Sequence, residues 1–214
     1  MKSDAAESAA TAHPTLDVQP LTLDRWRDLE ALFGEQGACA GCWCMWWRLK
    51  AREWREGAGE GNRQALHELV AAGHVPGLLG YVAGEPVGWC SLGPRAEFPR
   101  LNGSSIARPV DDRPVWTILC FFVRRGQRRQ GLTGALLRAA IAWAGARGAR
   151  ILEAYPIDTA GKRLREDALY TGLASTFRAA GFEEVARRSP TRPVMRYFLS
   201  GEPPHAALSP RGAG

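Results

Sequence analysis

The stretch VRRGQRRQGLTGALL, residues 123–137, holds four arginines and three glycines between an apolar segment and a helical pattern. A buried strand that runs into a glycine-rich turn and then a helix presents free backbone N–H groups at the helix start, where the helix dipole also favours negative charge. Gly131 would let the backbone approach an anion without a Cβ in the way, and Thr133 could add a hydroxyl. Arg128 and Arg129 could add charge-assisted hydrogen bonds. The stretch therefore predicts a phosphate-binding loop, with a ligand-free structural turn as the alternative.

A second group with chemical potential is the C-x-x-C-x-C of Cys39, Cys42 and Cys44. This spacing suggests zinc, but a tetrahedral site needs a fourth ligand. His67 and His74 follow in the next predicted helix and just beyond it, and neither stands at a recognised ligand interval. We therefore predict that the cysteine cluster binds no metal.

The net charge of +6 and the pI near 9.4 favour anionic partners, but the arginines are scattered along the whole chain. The arginine-rich turn lacks the interleaved aromatic platform or recognition helix that nucleic-acid binding would need, so DNA is not an expected partner. No window reaches the length of a membrane span, and the first residues lack the apolar core of a secretory signal. With five cysteines, an odd number, we expect reduced thiols and a cytoplasmic protein that acts as a monomer or a homodimer.

The elements that must position these residues follow from hydrophobic periodicity and turn residues. Strands are predicted at 16–20, in a hairpin over 77–93, and at 115–123, 150–158, 182–188 and 194–199. Helices are predicted before Gly34 with Thr22 or Asp24 as cap, over 61–73 with Asn62 as cap, over 133–147, and around 172–180. The pattern predicts an α/β fold with a mixed central β-sheet flanked by helices, in which strands 115–123 and 150–158 are adjacent and parallel.

One domain over residues 16–200 accounts for this pattern. Residues 1–15 and 201–214 are rich in Ala, Pro, Ser and Gly and offer little apolar surface to bury, so both are predicted to be disordered tails.

Val123, Arg128, Gly131 and Thr133 match, in order and interval, the acyl-CoA-binding signature of the GNAT superfamily of N-acetyltransferases. That signature is a Val at the end of a strand followed by R/Q-x-x-G-x-G/A, and Thr133 departs from its last small residue. The order of elements is also that of the superfamily, and FRAAGF at 177–182 resembles the Y-x-x-x-G-F of its last helix. The chain thus resembles a GNAT acetyltransferase over nearly all of its predicted domain.

The resemblance implies acetyl-CoA as co-substrate. The amides of residues 129–134 would hold the pyrophosphate, and the backbone of Phe122 and Val123 would pair with the pantetheine arm as an added strand. The implied cofactor-binding residues are Phe122, Val123, Arg128, Arg129, Gln130, Gly131, Leu132, Thr133 and Gly134.

The resemblance also implies direct attack by an amine through a tetrahedral intermediate, with a backbone N–H near Phe122 or Val123 facing the oxyanion. A general base in such enzymes is a carboxylate or His that reaches the cleft through water. Strand 115–123 has neither, so Glu153 in the next strand is the candidate, followed by Asp158 at its end. A structural ion pair is the alternative role for Glu153.

Phe177 stands where the superfamily often has the Tyr that protonates the departing thiolate, and Tyr170 stands where it often has an Asn. Tyr170 is therefore the candidate acid, with a half-buried packing role as the alternative. Cys120 is expected to be a small buried hydrophobe and not a nucleophile.

The superfamily commonly builds its acceptor pocket between the first two helices, where Trp43, Trp46 and Trp47 lie in this chain. They are the candidate substrate-binding residues, and core packing is the alternative. The expected activity is acetyl transfer to a small-molecule amine. The rivals are a transferase of the same fold with another donor, a longer acyl-CoA or an aminoacyl-tRNA, and a non-catalytic acyl-CoA-binding regulator.

Overall fold

The computed structural model describes residues 16–161 and 169–199. The segments 1–15 and 201–214, for which disorder was predicted, lie outside the described residues, as does position 200. In the described part of the chain, seven strands form one mixed sheet in the order β1-β2-β3-β4-β5-β7-β6. No helix in these ranges has the length and apolar character needed to cross a membrane.

The strands are β1 Asp17–Pro20, β2 Gly77–Val82, β3 Glu85–Pro94, β4 Trp116–Val123, β5 Ile151–Ala154, β6 Glu183–Ser189 and β7 Arg192–Phe198. The helices are α1 Trp26–Phe33, α2 Ala51–Glu56, α3 Glu60–Ala71, α4 Leu132–Gly145 and α5 Ala174–Ala179. Short 3-10 turns include Arg95–Glu97, Pro99–Gly103 and Arg125–Gln127. The predicted α/β class and mixed sheet are confirmed.

Two local predictions were wrong at the start of α3. The helix begins at Glu60 after Gly59, and Asn62, predicted as its cap, is fully buried inside the first turn. The Asn62 amide instead donates to the carbonyls of Gly41 and Trp54, at 2.9 and 3.2 Å. Helix α2, just before it, was not predicted because its six residues are too short for a clear periodic pattern.

Two layers of helices cover the sheet. On one face α4 and α5 pack over an apolar cluster that includes Ile118, Leu136 and Phe177, all fully buried. The glycines of β2 and β3 allow α4 to lie close, since a Cβ at Gly88 would stand 2.9 Å from Leu136 Cδ1. On the other face α1 and α3 pack over a second cluster that includes Leu29, Leu66 and Trp89.

Strands β4 and β5 are adjacent and parallel, as predicted, but they pair only over Trp116–Ile118 and Leu152–Ala154. Beyond Ile118, β4 continues to Val123 and keeps its pairing with β3 alone. Leu119 has no partner on β3, because Cys120 pairs with Ser91 and Ile118 with Leu92, so a β-bulge marks the point at which β4 leaves β5. The sheet is split here, and the chain enters the arginine-glycine loop at the far end of β4.

Candidate functional site

The loop between β4 and α4 has the geometry of an anion cradle. Gly131 is the N-cap of α4 with a left-handed φ of +76°, and Arg129 adopts φ +64°. Within the described chain, none of the backbone amides from 129 to 134 donates to another main-chain carbonyl. Several N–H groups and the positive end of a 14-residue helix therefore face one place.

The residues of the loop divide into those that face outward and those that anchor it. Arg129 and Gly131 are exposed, and Gln130, Thr133 and Gly134 are half-buried. Leu132 anchors the start of the helix, with a side chain only 3% exposed. A ligand at the cradle would therefore meet main-chain donors first and side chains second.

Arg128 differs from the expected phosphate contact, because its Nε donates to the Val123 carbonyl at 2.9 Å. The guanidinium thereby ties the loop to the end of β4. The side chain thus has a positioning role in the fold besides any role toward an anion.

Along β4, the main-chain N–H and C=O groups of alternate residues point toward β3 and toward the split. Phe121 N–H donates to the Tyr170 carbonyl at 2.7 Å, on the side away from β3, whereas Arg124 N–H donates to Val87 of β3 at 2.9 Å. By this alternation the main chain of Phe122, which pairs with Trp89, turns toward β3. The edge available to an added strand is therefore that of Phe121 and Val123, which corrects the expected role of the Phe122 backbone.

The three candidate tryptophans are separated by the fold. Trp43 is 4% exposed and lies in the core between α1 and α3, with its ring 6.3 Å from Trp26 and 5.7 Å from Phe33. Trp47 is also buried, in a third apolar cluster with Phe98 and Leu119. The structure thus assigns packing roles to these two, and only Trp46 is partly exposed.

Trp46 lies in a wall that sequence reasoning had not assembled. Its ring meets that of Trp54 edge to face at 4.8 Å, and the Arg100 guanidinium stacks on it at 3.9 Å. Trp46 and Tyr170 both pack against the third cluster. We call Trp46, Trp54, Arg100 and Tyr170 the aromatic-arginine wall. Its member Tyr170 lies at the split edge of β4, because its main-chain carbonyl accepts from Phe121 N–H.

The Tyr170 side chain is half-buried in this wall. Burial raises the pKa of its phenol, the neighbouring Cys120 thiol adds to the rise, and the positive charge of Arg192 opposes it. The hydroxyl therefore remains protonated at neutral pH and can donate. Phe177, which offers no hydroxyl, is fully buried and contacts Phe121 with ring centroids 6.0 Å apart.

Glu153 lies in a buried ion-pair network and not on a cleft. Its side chain is 1% exposed, and one carboxylate oxygen lies 2.7 Å from Arg196 Nη2. The other accepts from the Tyr155 hydroxyl, which itself accepts from Arg95 Nη1 at 2.5 Å. Arg196 continues the network with two bonds to Asp111, at 2.7 and 3.0 Å. Both oxygens of Glu153 thus bind groups of the protein itself. This is the structural ion pair that was the alternative to a role as general base.

Asp158, the second candidate carboxylate, pairs at the surface with Arg187 and Arg178 at 3.0 and 3.1 Å. These hydrogen bonds lower the pKa of its carboxyl to about 2. A carboxylate so strongly held as an anion is a poor proton acceptor near neutral pH.

The three cysteines of the C-x-x-C-x-C segment differ in their exposure to solvent. Cys39 is exposed, Cys42 is half-buried, and Cys44 is buried with its sulfur accepting from Trp89 Nε1 at 2.7 Å. Burial raises the pKa of Cys42 to about 11 and that of Cys44 well above its usual value. Thiols held protonated in this way are weak ligands and weak nucleophiles. Within residues 16–161 and 169–199 no three Cys, His, Asp or Glu side chains are grouped to hold a metal ion, and metal-free cysteines stay a prediction.

Residues 43–171 match the family model described as the acetyltransferase (GNAT) family, which is more than half of the 214-residue chain. The chain belongs to this GNAT family. The match runs from Trp43 to Thr171 and so includes β4, the cradle and α4. A comparison with curated proteins gave no match.

Solved GNAT structures share the fold at low identity. An acetyltransferase of the family from Streptococcus agalactiae 2603 superposes with a TM-score of 0.52 at 10% identity, covering 86% of this chain and 95% of that one. An agmatine N-acetyltransferase, solved as a mutant in its apo form, gives a TM-score of 0.51 at 10% identity, covering 86% and 99%. At these identities the similarity shows the fold alone.

Three residues of the site were missed in the sequence. Trp54 follows the tryptophan-rich segment and could have been included with it, because Trp46 and Trp54 are only eight positions apart. Arg100 stands in a stretch, FPRLNG, without a motif, and Phe121 is hidden in an apolar run where every residue reads as core. The bulge at Leu119 decides which main-chain groups of β4 face the gap between β4 and β5, and the sequence does not reveal it.

Proposed function

We propose that this GNAT protein transfers an acetyl group from acetyl-CoA to the amine of a small molecule. The observation that carries the proposal is the cradle at the start of α4, which stands at the end of β4 where the sheet is split. Free amides beside a helix N-terminus suit a pyrophosphate, and the strand edge of Phe121 and Val123, once Tyr170 has released it, suits the amide groups of a pantetheine arm. The residues present therefore fit acetyl-CoA.

Acetyl-CoA supplies the activated acetyl group as a thioester. In the proposed arrangement the amides of residues 129–134 hold the pyrophosphate, and Gly131 keeps the approach open. The main chain of Phe121 and Val123 aligns the arm along β4, once the Tyr170 carbonyl has released Phe121 N–H. The N–H groups of this edge, which lie beyond the bulge at Leu119, are also the donors available to stabilise negative charge on an oxygen.

The aromatic-arginine wall forms the acceptor side in this proposal. Tyr170 holds a protonated hydroxyl there and serves as the proton donor to the departing thiolate. Glu153 supports the fold through Arg196 and takes no proton. The described residues that line the wall include no carboxylate or imidazole, so the amine enters neutral or loses its proton to water, and positioning supplies most of the rate.

A thermal-shift and activity panel tests the donor. We expect acetyl-CoA at 100 times its Kd to stabilise the protein by about 2.7 kcal/mol, and S-acetylpantetheine, which lacks the pyrophosphate, to stabilise it far less. Release of free CoA thiol in the presence of small amines would then follow. A larger shift with a longer acyl-CoA or with aminoacyl-tRNA would favour the donor alternatives. Strong acetyl-CoA binding without thiol release across all amines would favour the regulator.

A further inference from the structure

Arg100 is held in place by the main chain and by a tryptophan ring. It lies in the 3-10 turn Pro99–Gly103, and its Nε donates to the Leu49 carbonyl at 3.1 Å. The guanidinium stacks 3.9 Å above the centre of the Trp46 ring and stands 5.8 Å from that of Trp54. A planar cation on an aromatic face is oriented, so its remaining N–H groups point in fixed directions.

One of those groups has no acceptor. Arg100 Nη2 is buried from solvent and has no hydrogen-bond partner, and no carboxylate of the described residues lies within ion-pair distance of Arg100. A buried donor left unpaired costs free energy, and more so when it carries charge. The indole N–H of Trp47, whose main-chain carbonyl accepts from Arg100 N–H at 3.4 Å, is also buried without an acceptor.

The two buried arginines of the described chain are paired with carboxylates. Arg48 binds Glu97 at 2.8 Å, and Arg196 binds both Glu153 and Asp111. Arg100 is the contrast, since its side chain is half-buried and stacked on Trp46, its Nη2 is buried, and it faces no anion of the described chain. Desolvation lowers its pKa, yet a guanidinium stays charged at any physiological pH. A charged guanidinium with an unpaired donor and no carboxylate of the described chain beside it has the properties of a group that binds the anion of a ligand.

The position of Arg100 connects it with the proposed transfer centre. Arg100 and Tyr170 influence each other electrostatically within the wall, and the Tyr170 main chain reaches Phe121 on the split edge of β4. A molecule bound to Arg100 that extends past Tyr170 would therefore reach the strand edge to which the Tyr170 main chain is bonded. That is the arrangement needed to present an amine while a distant group is anchored.

We propose that Arg100 binds a carboxylate on the acceptor, so that the preferred substrates are small amines that carry a carboxylate and an aromatic or apolar body. The fork of the guanidinium matches the two oxygens of a carboxylate, and Trp46 and Trp54 supply the face on which the body lies. The assignment rests on the proposed acetyl-transfer function, and it names the acceptor class for the same site.

Direct binding tests the site without catalysis. Affinities of the protein alone for phenylacetate and for its uncharged analogue phenylacetamide are measured by calorimetry. We expect the wild-type protein to bind the carboxylate at least roughly tenfold more tightly, and Arg100→Gln to remove that preference by weakening phenylacetate binding far more than phenylacetamide binding. Arg108→Gln, which removes the same charge from an exposed position of the same region, is the matched control and should retain the preference.

Equal wild-type affinity for the two compounds overturns the proposal without any variant, and so does equal loss of preference in Arg100→Gln and Arg108→Gln. Arg100→Lys keeps the charge without the planar fork, and we expect it to have an intermediate preference for phenylacetate over phenylacetamide. The melting temperatures of Arg100→Lys and Arg100→Gln show whether both variants are folded. Benzylphosphonate bound more tightly than phenylacetate would also contradict a carboxylate site.

Acetyl transfer separates this inference from the function on which it rests. With acetyl-CoA, phenylalanine should be a better acceptor than phenethylamine, and Arg100→Gln should raise KM for phenylalanine far more than KM for phenethylamine. Transfer to both amines with no effect of Arg100→Gln would overturn the carboxylate site and leave the function standing. A carboxylate preference in binding, combined with no release of CoA thiol across the whole amine panel, would overturn the function and leave the site standing.

Discussion

The Phe121 N–H donates to the Tyr170 carbonyl at 2.7 Å, across the gap where β4 and β5 part. Tyr170 belongs to a stretch that also bonds to the extension of β5, since Ile157 N–H donates to the Gly172 carbonyl at 2.9 Å. The chain thus bridges both sides of the split with its own main chain. A pantetheine arm laid along β4 would compete for the same N–H group.

This bridge predicts two-step binding of acetyl-CoA. The cradle amides are open, so 3′-phospho-ADP, the nucleotide half, should associate with an observed rate that rises linearly with its concentration. The rate for acetyl-CoA should level off, because release of Phe121 from Tyr170 becomes limiting. Stopped-flow tryptophan fluorescence measures both. A linear rate for acetyl-CoA up to the highest concentrations would mean that the bridge need not open.

Gly131→Asp tests the cradle. The change places a side chain and a negative charge at a left-handed cap of φ +76°, so we expect acetyl-CoA binding to be lost in calorimetry while the fold is retained. Gly148→Asp is the matched control, because Gly148 has φ +82°, open space around its Cα and a position just beyond the other end of α4. Unchanged affinity in Gly131→Asp would show that the loop is only a turn.

Glu153→Gln tests the buried network. Removal of one carboxylate leaves Asp111 as the single carboxylate of the network opposite two guanidinium groups, Arg196 and Arg95, and we expect a loss of about 3 to 5 kcal/mol in the free energy of unfolding by urea. Glu183→Gln, at an exposed position of β6, should change it by less than about 0.5 kcal/mol. Full stability combined with loss of the acidic limb of the pH–rate profile would instead identify Glu153 as the base.

Tyr170→Phe removes the proposed proton donor and keeps the main-chain bond to Phe121. Since the raised pKa keeps the phenol protonated, kcat should fall by about 10²-fold with little change in acetyl-CoA affinity. Tyr197→Phe, a half-buried tyrosine on β7, is the control and should retain wild-type kcat. A Tyr170→Phe enzyme with unaltered kcat would leave the thiolate to be protonated by water.

Asp158 predicts a pH dependence of stability. Arg187 and Arg178 lower its folded pKa to about 2, below the value of about 3.9 for an unfolded Asp. A group with a lower folded pKa stabilises the native state above its unfolded pKa, and this contribution is lost as pH falls from about 4 through 2. The melting temperature of Asp158→Asn should therefore fall less steeply over that range than that of the wild type. Asp112→Asn, at an exposed position, should follow the wild type, and parallel curves for all three proteins would refute the assignment.

Local features of the site could be predicted because they are encoded by neighbouring residues. The apolar run of β4, the turn glycines and the periodic α4 stand next to one another in the chain, and their order predicts the cradle as well as the pairing of β4 with β5. Strand and helix boundaries came within a few residues for the same reason. The family assignment follows from this contiguous segment, which lies inside the matched range 43–171.

The roles of individual side chains depended on partners far away in the sequence. Glu153 was a candidate base until the fold placed it against Arg196, which is 43 positions away in the sequence. Arg196 in turn contacts Asp111, which is 85 positions away from it. Trp43 and Trp46 are indistinguishable by type and spacing, yet α1 and α3 cover the first while the second remains against Arg100. Periodicity reports which face of an element is apolar, but it carries no information on which distant group meets that face. Burial and pairing of a charge are therefore decided by tertiary packing alone.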